Sequence, residues 1–382
     1  MAGAVSAGIK YSPGQRLDLG VLLSTRNCVT AGVFTSNKVK AAPVLLSRER
    51  LKNGSARAVV MNSGCANACT GKQGMADALE MTDLVANQIG AKKDDVLVAS
   101  TGIIGTMLPM ERIRAAIPSI RFSAAGGHDL ALAIMTTDRV PKETAVKADG
   151  FTIGGMMKGS GMIHPNMATL LGFLTTDAVV ETGFLRQALK KAVDGSFNML
   201  SIDGDTSTND TVIMMANGVA GGEVIRTGSG KARLFQQALE KVCVYLTKEA
   251  ARDGEGATKL IEVKVSGALN LEDARLMART MVSSALVKTA VYGNDPNWGR
   301  LLAAAGYSGA ALEESKTELY IGDTCVVKGG VATDFDEKQV VNHLKDKEVI
   351  FHLDLHLGRA EATAWGCDMT EEYVKINAEY TT

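Results

Sequence analysis

Lys158 to Ala178, KGSGMIHPNMATLLGFLTTDA, is the stretch from which the fold and chemistry of this chain can be argued. It passes through His164-Pro165-Asn166 and enters the apolar run Leu170–Leu174, which has strand character. Ala168-Thr169 stands at the junction, a small residue before a β-branched hydroxyl residue. Such a hydroxyl can attack the preceding peptide carbonyl and form an ester, which water then cleaves. The freed α-amine of Thr169 can serve as base for its own hydroxyl.

The start of this stretch favours a glycine-rich loop on a path that bulky residues could not follow. The glycines in question are Gly154, Gly155, Gly159 and Gly161. Other hydroxyls lie in the same neighbourhood, on Ser160, Thr175 and Thr176. Most threonines at strand starts only satisfy backbone groups. On the residues alone, a structural role for Thr169 therefore stays open beside the nucleophilic one.

Length and composition indicate a large globular protein. At 382 residues the chain exceeds one ordinary core, which predicts two or three subdomains. Its 46% hydrophobic and 22% charged residues exclude a disordered or membrane protein. A net charge of −1 without a basic run argues against nucleic acid as a partner. Six scattered cysteines are typical of reduced thiols in a cytosol. No secretory signal or bilayer-length apolar stretch occurs, so we expect a cytoplasmic protein.

Alternating strand and helix patterns predict an α/β fold. The patterns predict strands over Leu17–Leu23 and Ala31–Phe34, one helix over Leu271–Val287, a loop over Tyr292–Arg300, and Val349–Leu357 paired with Ala360–Trp365. The Gly159-Ser160-Gly161 loop lacks the further glycine and downstream acidic partner of a dinucleotide site. We therefore expect no dinucleotide.

A second candidate for chemistry is the strand Val96–Ser100, which runs into Thr101-Gly102-Ile103-Ile104-Gly105. A hydroxyl and a backbone N–H at such a turn can stabilise a developing oxyanion, and removing one such donor costs about 3–4 kcal/mol. An ordinary strand-to-helix cap is the alternative, because Met110–Ile117 has a helical pattern. The residues alone favour the cap.

Three motifs resemble metal-binding sites but lack the ligands that such sites need. Ser201–Asp210, SIDGDTSTND, has Thr208 instead of glycine at position six of a calcium loop, and no glutamate closes it. We interpret it as an acidic turn that lines the site. Cys65 and Cys69 have no second Cys or His pair nearby. The third motif is His352, Asp354 and His356. It alternates with apolar residues as in a half-buried strand. We predict no metal site.

The stretch from Lys158 to Ala178 resembles the autoprocessing segment of the ArgJ family, the arginine-pathway ornithine acetyltransferases (glutamate N-acetyltransferases). Their Ala-Thr-Leu-Leu sequence is matched by Ala168–Leu171, and other segments match too, including Ser36–Leu46 as an early loop and strand. The resemblance implies a DmpA/ArgJ-like α/β sandwich of β-sheets between helical layers. It also implies self-cleavage into an alpha chain, 1–168, and a beta chain, 169–382, with interleaved strands. A C-terminal subdomain from about 257 to 382 is expected within the beta chain.

The resemblance also implies roles for single residues. Ala168 and Thr169 form the cleavage site, and Thr169 is the nucleophile that accepts the acyl group. Thr101 and Gly102 form the oxyanion hole. Substrate contacts are expected from Thr136, Lys158, Thr169, Glu255, Asn377 and Thr382. Glu255 lies between two glycines, and its carboxylate could hold the amino group of ornithine.

The implied reaction is ping-pong acyl transfer. Thr169 Oγ takes the acetyl group from N-acetylornithine, ornithine leaves, and glutamate accepts the acetyl group to give N-acetylglutamate. A free threonine α-amine has an ordinary pKa near ~7.8, so a useful fraction is neutral at cytosolic pH. The resemblance implies no metal or redox cofactor, and acetyl-CoA as a second acetyl donor stays open. Two alpha and two beta chains are expected to form a heterotetramer.

Two other functions remain open at this point. One is an N-terminal-Thr aminopeptidase or amidase of the same fold, against which Lys158, Glu255, Asn377 and Thr382 argue. The other is an unprocessed binding or assembly protein in which Thr169 is structural. It predicts an intact chain without a covalent acetyl adduct.

Overall fold

The computed structural model describes residues 1–10, 12, 14–164 and 170–379. The strands in these residues are β1 (Ala2–Val5), β2 (Leu19–Phe34), β3 (Ser55–Asn62), β4 (Val96–Ser100), β5 (Lys142–Ala148), β6 (Phe151–Lys158), β7 (Leu171–Val180), β8 (Leu200–Ser201), β9 (Thr211–Ile225), β10 (Leu260–Ala268), β11 (Glu318–Ile321), β12 (Thr324–Lys328), β13 (Val331–Ala332), β14 (Glu348–Asp354) and β15 (Ala360–Cys367). The helices are α1 (Ala42–Arg50), α2 (Gly71–Ile89), α3 (Met110–Ala116), α4 (Gly127–Ala133), α5 (Thr182–Asp194), α6 (Ala232–Arg252), α7 (Leu271–Ser283), α8 (Ala285–Gly293), α9 (Trp298–Gly306), α10 (Glu337–Lys345) and α11 (Glu371–Glu379).

The strands form two sheets. The first has the order β4-β3-β2-β9-β7-β6-β5, with β1 paired to β2, and the second has the order β13-β12-β11-β14-β10-β15-β8. Compact packing divides the described residues into two units. The first unit comprises 1–159, 170–193 and 206–246, and the second comprises 160–164, 194–205 and 247–379. The predicted α/β class with two sheets and helices is confirmed.

The core of the first unit follows from the period-2 pattern of its central strands. In β3, Ala58 and Val60 lie on one face of the sheet, where they pack with Met81 and Val85 of α2. The residues between them, such as Val59, lie in a separate cluster on the other face. Both faces of this strand are therefore covered, as its continuous apolar sequence indicates.

The two strands predicted near the amino terminus are strand from Leu19 onwards, but the turn expected between them is absent. Leu19–Leu23 and Ala31–Phe34 belong to the single strand β2, whose register against β3 shifts between Leu23 and Cys28. The polar residues at the shift lie in a bulge, which interrupts pairing without ending the strand. The predicted strand at the end of Ser36–Leu46 is instead the start of α1, where Pro43 lies in the first turn. Proline is well suited there because the first turn needs no intrahelical N–H.

The predicted glycine-rich loop is also shorter than expected. Gly154 and Gly155 lie inside β6, which pairs with β7. A Cβ atom on Gly155 would come within 2.6 Å of Leu174 Cδ2 and 2.8 Å of Val242 Cγ1. Glycine is required at this point because α6 packs directly on the strand.

In the second unit the predicted pairing of Val349–Leu357 with Ala360–Trp365 is wrong. β14 pairs parallel to β10 and β15 pairs antiparallel to β10, so β10 lies between them. The connection between the two strands crosses the end of β10, where Leu357 N donates to Gly267 O at 2.7 Å. A hairpin turn could not span the width of the intervening strand.

The segment after β10 contains more helices than predicted. Leu271–Val287 divides into α7 and α8, because Ser284 has an extended backbone and its side chain accepts a hydrogen bond from Val287 N. Serine at this position is a preferred N-cap, so it starts a new helix. Part of the predicted loop Tyr292–Arg300 is helical, since α9 begins at Trp298. In the part of the chain that the structure describes, no helix is long and apolar enough to cross a membrane.

Gly155→Ala should lower the free energy of unfolding by roughly 1–3 kcal/mol, because its methyl group would meet three buried side chains at once. Gly154→Ala is the matched control, since the nearest atom to its added Cβ is Thr175 Oγ1 at an ordinary 3.5 Å. We expect the control to stay within about 0.5 kcal/mol of the wild type. Urea unfolding of both variants measures the difference, and equal stabilities would show that α6 yields to the added atom.

Candidate active site

The Thr101-Gly102 turn is built by contacts that only glycine permits. Thr101 follows β4 and its N–H donates to Asn62 O at 3.0 Å. Gly102 has φ +131°, and a Cβ atom there would lie 2.3 Å from the carbonyl carbon of Gly64 and 2.5 Å from Cys65 N. The backbones of the two loops therefore touch. The turn is held rigidly, as a preorganised oxyanion site requires.

Three predicted site residues meet at the Lys158 side chain. Lys158 is the last residue of β6 and is 2% exposed. Its Nζ donates to Thr136 Oγ1 at 2.8 Å and to Thr101 Oγ1 at 3.4 Å. Lys158 also pairs with Leu171 in the ladder between β6 and β7, so the ammonium lies at the end of the sheet where β7 begins.

Asp138, which sequence reasoning missed, organises these residues. Its carboxylate accepts from Lys142 Nζ and from Gly159 N, both at 2.7 Å, and from Thr136 N at 3.0 Å. Lys158 Nζ lies 3.9 Å from the same carboxylate. The side chains of Asp138 and Lys142 are fully buried. Burial alone would raise the pKa of Asp138, but the ammonium groups of Lys158 and Lys142 lower it to about 2.

A second group of predicted residues meets in the second unit. Asn377 Nδ2 donates to Glu255 Oε2 at 2.8 Å, across 122 positions of sequence. Glu255 N donates to Ser160 O at 2.8 Å. A Cβ atom on Gly161 would lie 2.4 Å from the carboxyl carbon of Glu255, so this glycine makes room for the carboxylate. Glu255 and Asn377 are thus brought together as a polar pair.

The loop that carries Glu255 is fixed by the segment after β15. Asp368 Oδ1 accepts from Thr258 N at 2.8 Å and from Lys259 N at 2.9 Å. Thr370 Oγ1 donates to Gly256 O at 2.8 Å. Asp368 and Thr370 were also missed, although a polar pair directly after a buried strand is the pattern that could have found them. These contacts hold Glu255 independently of any ligand.

The acidic turn Ser201–Asp210 contributes anchors to both units. In the second unit, Asp203 accepts hydrogen bonds from Met162 N and, at 2.9 Å, from Ile163 N. Burial raises the pKa of Asp203, although these backbone donors oppose that effect. In the first unit, Asp210 Oδ1 accepts from Leu170 N at 3.0 Å.

Three predicted site residues lie outside the described part of the chain. They are Ala168, Thr169 and Thr382. The roles given to them, and the roles of Thr101, Gly102, Thr136, Lys158, Glu255 and Asn377, stay predictions. The division into chains at Ala168-Thr169 and the subdomain from about 257 to 382 stay predictions as well.

The two groups have complementary chemistry. In the first unit, a buried ammonium adjoins a threonine hydroxyl and a rigid backbone turn, which suits a carboxylate and a developing oxyanion. In the second unit, a carboxylate with an amide partner suits an ammonium group. Each group, within its own unit, has the polar and charged side chains of an enzyme site for small charged substrates.

Comparison with known proteins gives the family. A model of the ArgJ family matches residues 1–382. The arginine biosynthesis bifunctional protein ArgJ of Symbiobacterium thermophilum is 53% identical over 391 residues, covering 100% of this chain and 97% of that protein. The protein of the same name from Bacillus subtilis is 46% identical over 386 residues, covering 100% and 94%. The chain belongs to the ArgJ family.

A solved structure agrees. The crystal structure of the arginine biosynthesis bifunctional protein ArgJ from Bacillus halodurans has a TM-score of 0.53 and 43% sequence identity. The match covers 54% of this chain and 97% of the solved chain. The predicted family resemblance is confirmed.

The buried carboxylate of Asp138 should make the free energy of unfolding depend on pH. Its folded-state pKa of about 2 lies below the ordinary 3.8, so its contribution is present above pH 4 and is lost as pH falls towards 2. We expect the stability gap between the wild type and Asp138→Asn to narrow by about 2 kcal/mol between pH 5 and pH 2. Urea unfolding across that range measures it. A constant gap would mean that the carboxylate is not held by its two lysines.

Proposed function

We propose that this chain moves an acetyl group from N-acetylornithine to glutamate through an acetyl ester on Thr169. The observation that carries the proposal is the meeting of Thr101, Thr136 and Lys158, whose side chains are linked by hydrogen bonds of 2.8 and 3.4 Å. These residues are far apart in sequence. A hydroxyl and a backbone N–H donor suit the reacting acyl group, and an ammonium suits a substrate carboxylate.

The general activity rests on the whole-length relatives. The chain is an acyltransferase of arginine biosynthesis, and this prediction is confirmed over the N-terminal-Thr aminopeptidase alternative. The relatives from Symbiobacterium thermophilum and Bacillus subtilis are both named as bifunctional proteins of arginine biosynthesis. Acetyl-CoA as a second acetyl donor is consistent with the word bifunctional, and we propose it as such.

The proposed chemistry has two half-reactions. The α-amine of Thr169 takes the proton of its Oγ, which attacks the acetyl carbonyl of N-acetylornithine. The carbon–nitrogen bond breaks, ornithine leaves with that proton, and an acetyl ester remains. The amine of glutamate then attacks the ester and restores the hydroxyl. Thr101 and the N–H of Gly102 would stabilise the oxyanion in both halves.

Charge complementarity would select the substrates. N-acetylornithine and glutamate each carry an α-carboxylate, for which Lys158 is a suitable partner. The side-chain ammonium of N-acetylornithine suits Glu255, whose carboxylate has Asn377 as its hydrogen-bond partner. Thr136 and Thr382 complete the proposed set of substrate contacts.

The mature protein is proposed to consist of cleaved chains in the cytoplasm. Self-cleavage between Ala168 and Thr169 would give an alpha chain, 1–168, and a beta chain, 169–382, assembled as two of each. The solved ArgJ chain from Bacillus halodurans is matched over 97% of its own length but covers only 54% of this chain. This supports a cleavage product of about the size of the beta chain. Since the proposed steps use only side chains and backbone groups, no cofactor is required.

Thr169→Ala tests the nucleophile and the cleavage together. Intact mass spectrometry should find two species for the wild type, one ending at Ala168 and one beginning at Thr169. The variant should remain whole and transfer no acetyl group from N-acetylornithine to glutamate, because it has neither the hydroxyl nor the free amine. Wild-type protein incubated with N-acetylornithine alone should gain one acetyl group on the Thr169 fragment.

Two outcomes would contradict this proposal. A single full-length mass for active wild type would remove the free amine from the mechanism. Release of free acetate without acetylation of glutamate would favour a hydrolase.

Gly102→Ala tests the oxyanion turn. The added methyl group meets backbone atoms that cannot yield, so the turn must move, and we expect kcat to fall by about 10²–10³. Gly105→Ala is the matched control, because Gly105 also has a positive φ, +84°, whereas nothing lies within 4 Å of its added Cβ. Initial rates of acetyl transfer measure both variants, and equal rates would remove Gly102 from the oxyanion hole.

A further inference from the structure

Asn209 and Asp210 close the acidic turn directly before β9, and neither residue has a role in the reaction described above. Asp210 is 0% exposed. Its Oδ1 accepts from Leu170 N at 3.0 Å, and the next residue, Thr211, donates its N–H to Leu170 O at 3.1 Å. Both backbone groups of Leu170 are therefore held by consecutive residues. Leu170 is the residue bonded to the carbonyl carbon of Thr169.

The neighbouring Asn209 holds a different part of the first unit. Its Nδ2 donates to Ala66 O at 2.6 Å and to Ser100 O at 2.8 Å. Its Oδ1 accepts from Thr208 Oγ1 at 2.6 Å, which fixes which end of the amide is the donor. Ser100 immediately precedes Thr101. The Asn209 side-chain NH₂ group therefore donates one hydrogen bond to each of the two loops, at Ala66 and at Ser100, that form the oxyanion turn.

These loops also hold each other. Ala66 N donates to Ile103 O at 2.9 Å, and Ile103 N donates to Gly64 O at 3.3 Å. The single amide of Asn209 therefore ties together both sides of a small backbone ladder. Asn209 lies one peptide bond from the residue that holds Leu170. A rigid dipeptide thus connects the oxyanion turn to the first described residue after Thr169.

We propose that Asn209 and Asp210 are positioning residues for the reaction of Thr169: Asp210 sets the backbone that follows the nucleophile, and Asn209 sets the turn that carries the oxyanion donors. This inference deepens the proposed function and rests on it. A displacement of about 1 Å between reacting groups can cost about 10²-fold in rate, so a shared support for both groups has a direct kinetic consequence.

What Asp210 supplies to Leu170 is a hydrogen-bond acceptor, through Oδ1. Burial raises the pKa of Asp210 well above its ordinary value, against the opposing effects of the Leu170 N–H and the nearby Ser207 and Thr35 hydroxyls. Its Oδ2 is buried and accepts no hydrogen bond of ordinary geometry within the described residues. A neutral side chain of the same shape, with one carbonyl oxygen, should therefore serve as well.

The test compares Asp210→Asn with Asp210→Leu. Asparagine keeps the acceptor for Leu170 N, whereas leucine keeps the size and removes the acceptor. We expect Asp210→Asn to cleave itself and to transfer acetyl groups within about 5-fold of the wild type, and Asp210→Leu to lose about 10²-fold in both rates. Because the defect lies at the nucleophile, the KM for N-acetylornithine should stay unchanged while kcat falls.

Asn209→Asp provides a second variant of the same shape. It replaces two N–H donors by an oxygen that faces the carbonyl oxygens of Ala66 and Ser100, so the oxyanion turn should shift and kcat should fall. Glu223→Gln, on the exposed part of β9, is the control and should behave as the wild type. Time-resolved intact mass spectrometry and initial rates measure all four variants, and circular dichroism establishes that each is folded.

The outcomes separate this inference from the proposed function. If the wild type stays whole and gains no acetyl group, both are wrong. If the wild type is cleaved and Asp210→Leu works equally well, only the positioning pair is wrong. A folded Asp210→Asn that fails as completely as Asp210→Leu would also overturn it, because the acceptor is retained. Should Asp210→Leu not fold, Asp210→Asn and Asn209→Asp decide between these outcomes.

Discussion

The buried carboxylate of Asp138 is the constraint on which the candidate site depends. An isolated buried charge is strongly unfavourable, so it must be paired and hydrogen-bonded. Asp138 meets this requirement with the ammonium of Lys142 and with N–H groups on both sides of the site, from Thr136 and Gly159. The same arrangement places Lys158 beside Thr101. The ammonium of the nearly buried Lys158 is tolerated there because the neighbouring Asp138 carboxylate, which is also buried, balances its charge.

Glycine provides the complementary constraint, since it lets backbones approach where side chains would collide. At Gly102 the close neighbour is the backbone of Gly64, and at Gly161 it is the carboxylate of Glu255. Both contacts lie at predicted functional residues, whereas Gly155 serves only the packing of α6 on its strand. The many glycines of this sequence therefore have at least two different uses, and composition alone does not distinguish them.

Local patterns predicted the elements whose signals are local. β4 and α3 were found because Val96–Ser100 is a continuous apolar run and Met110–Ile117 has a helical pattern. The pairing of β14 with β15 was wrong because it depends on β10, more than 80 residues earlier in the chain. Thr101, Lys158 and Glu255 were recognised by resemblance to a family. Asp138 and Asn209 were not found, because the burial of a polar side chain is decided by tertiary packing and leaves no periodic signal.

The order of the first sheet explains how a chain cut after Ala168 could remain one structure. β7 and β9 follow the proposed cleavage site in sequence and lie side by side in the middle of the sheet. Each is also paired with a strand from the amino-terminal side, β7 with β6 and β9 with β2. In this sheet, strands that follow residue 169 therefore lie between strands that precede it, and the cleavage itself stays a prediction. Separation of the two products would expose two ladders of backbone hydrogen bonds and the apolar residues on both faces of the central strands. Cleavage as proposed would leave these ladders in place, because they are hydrogen bonds between strands and none of them is the peptide bond to be cut.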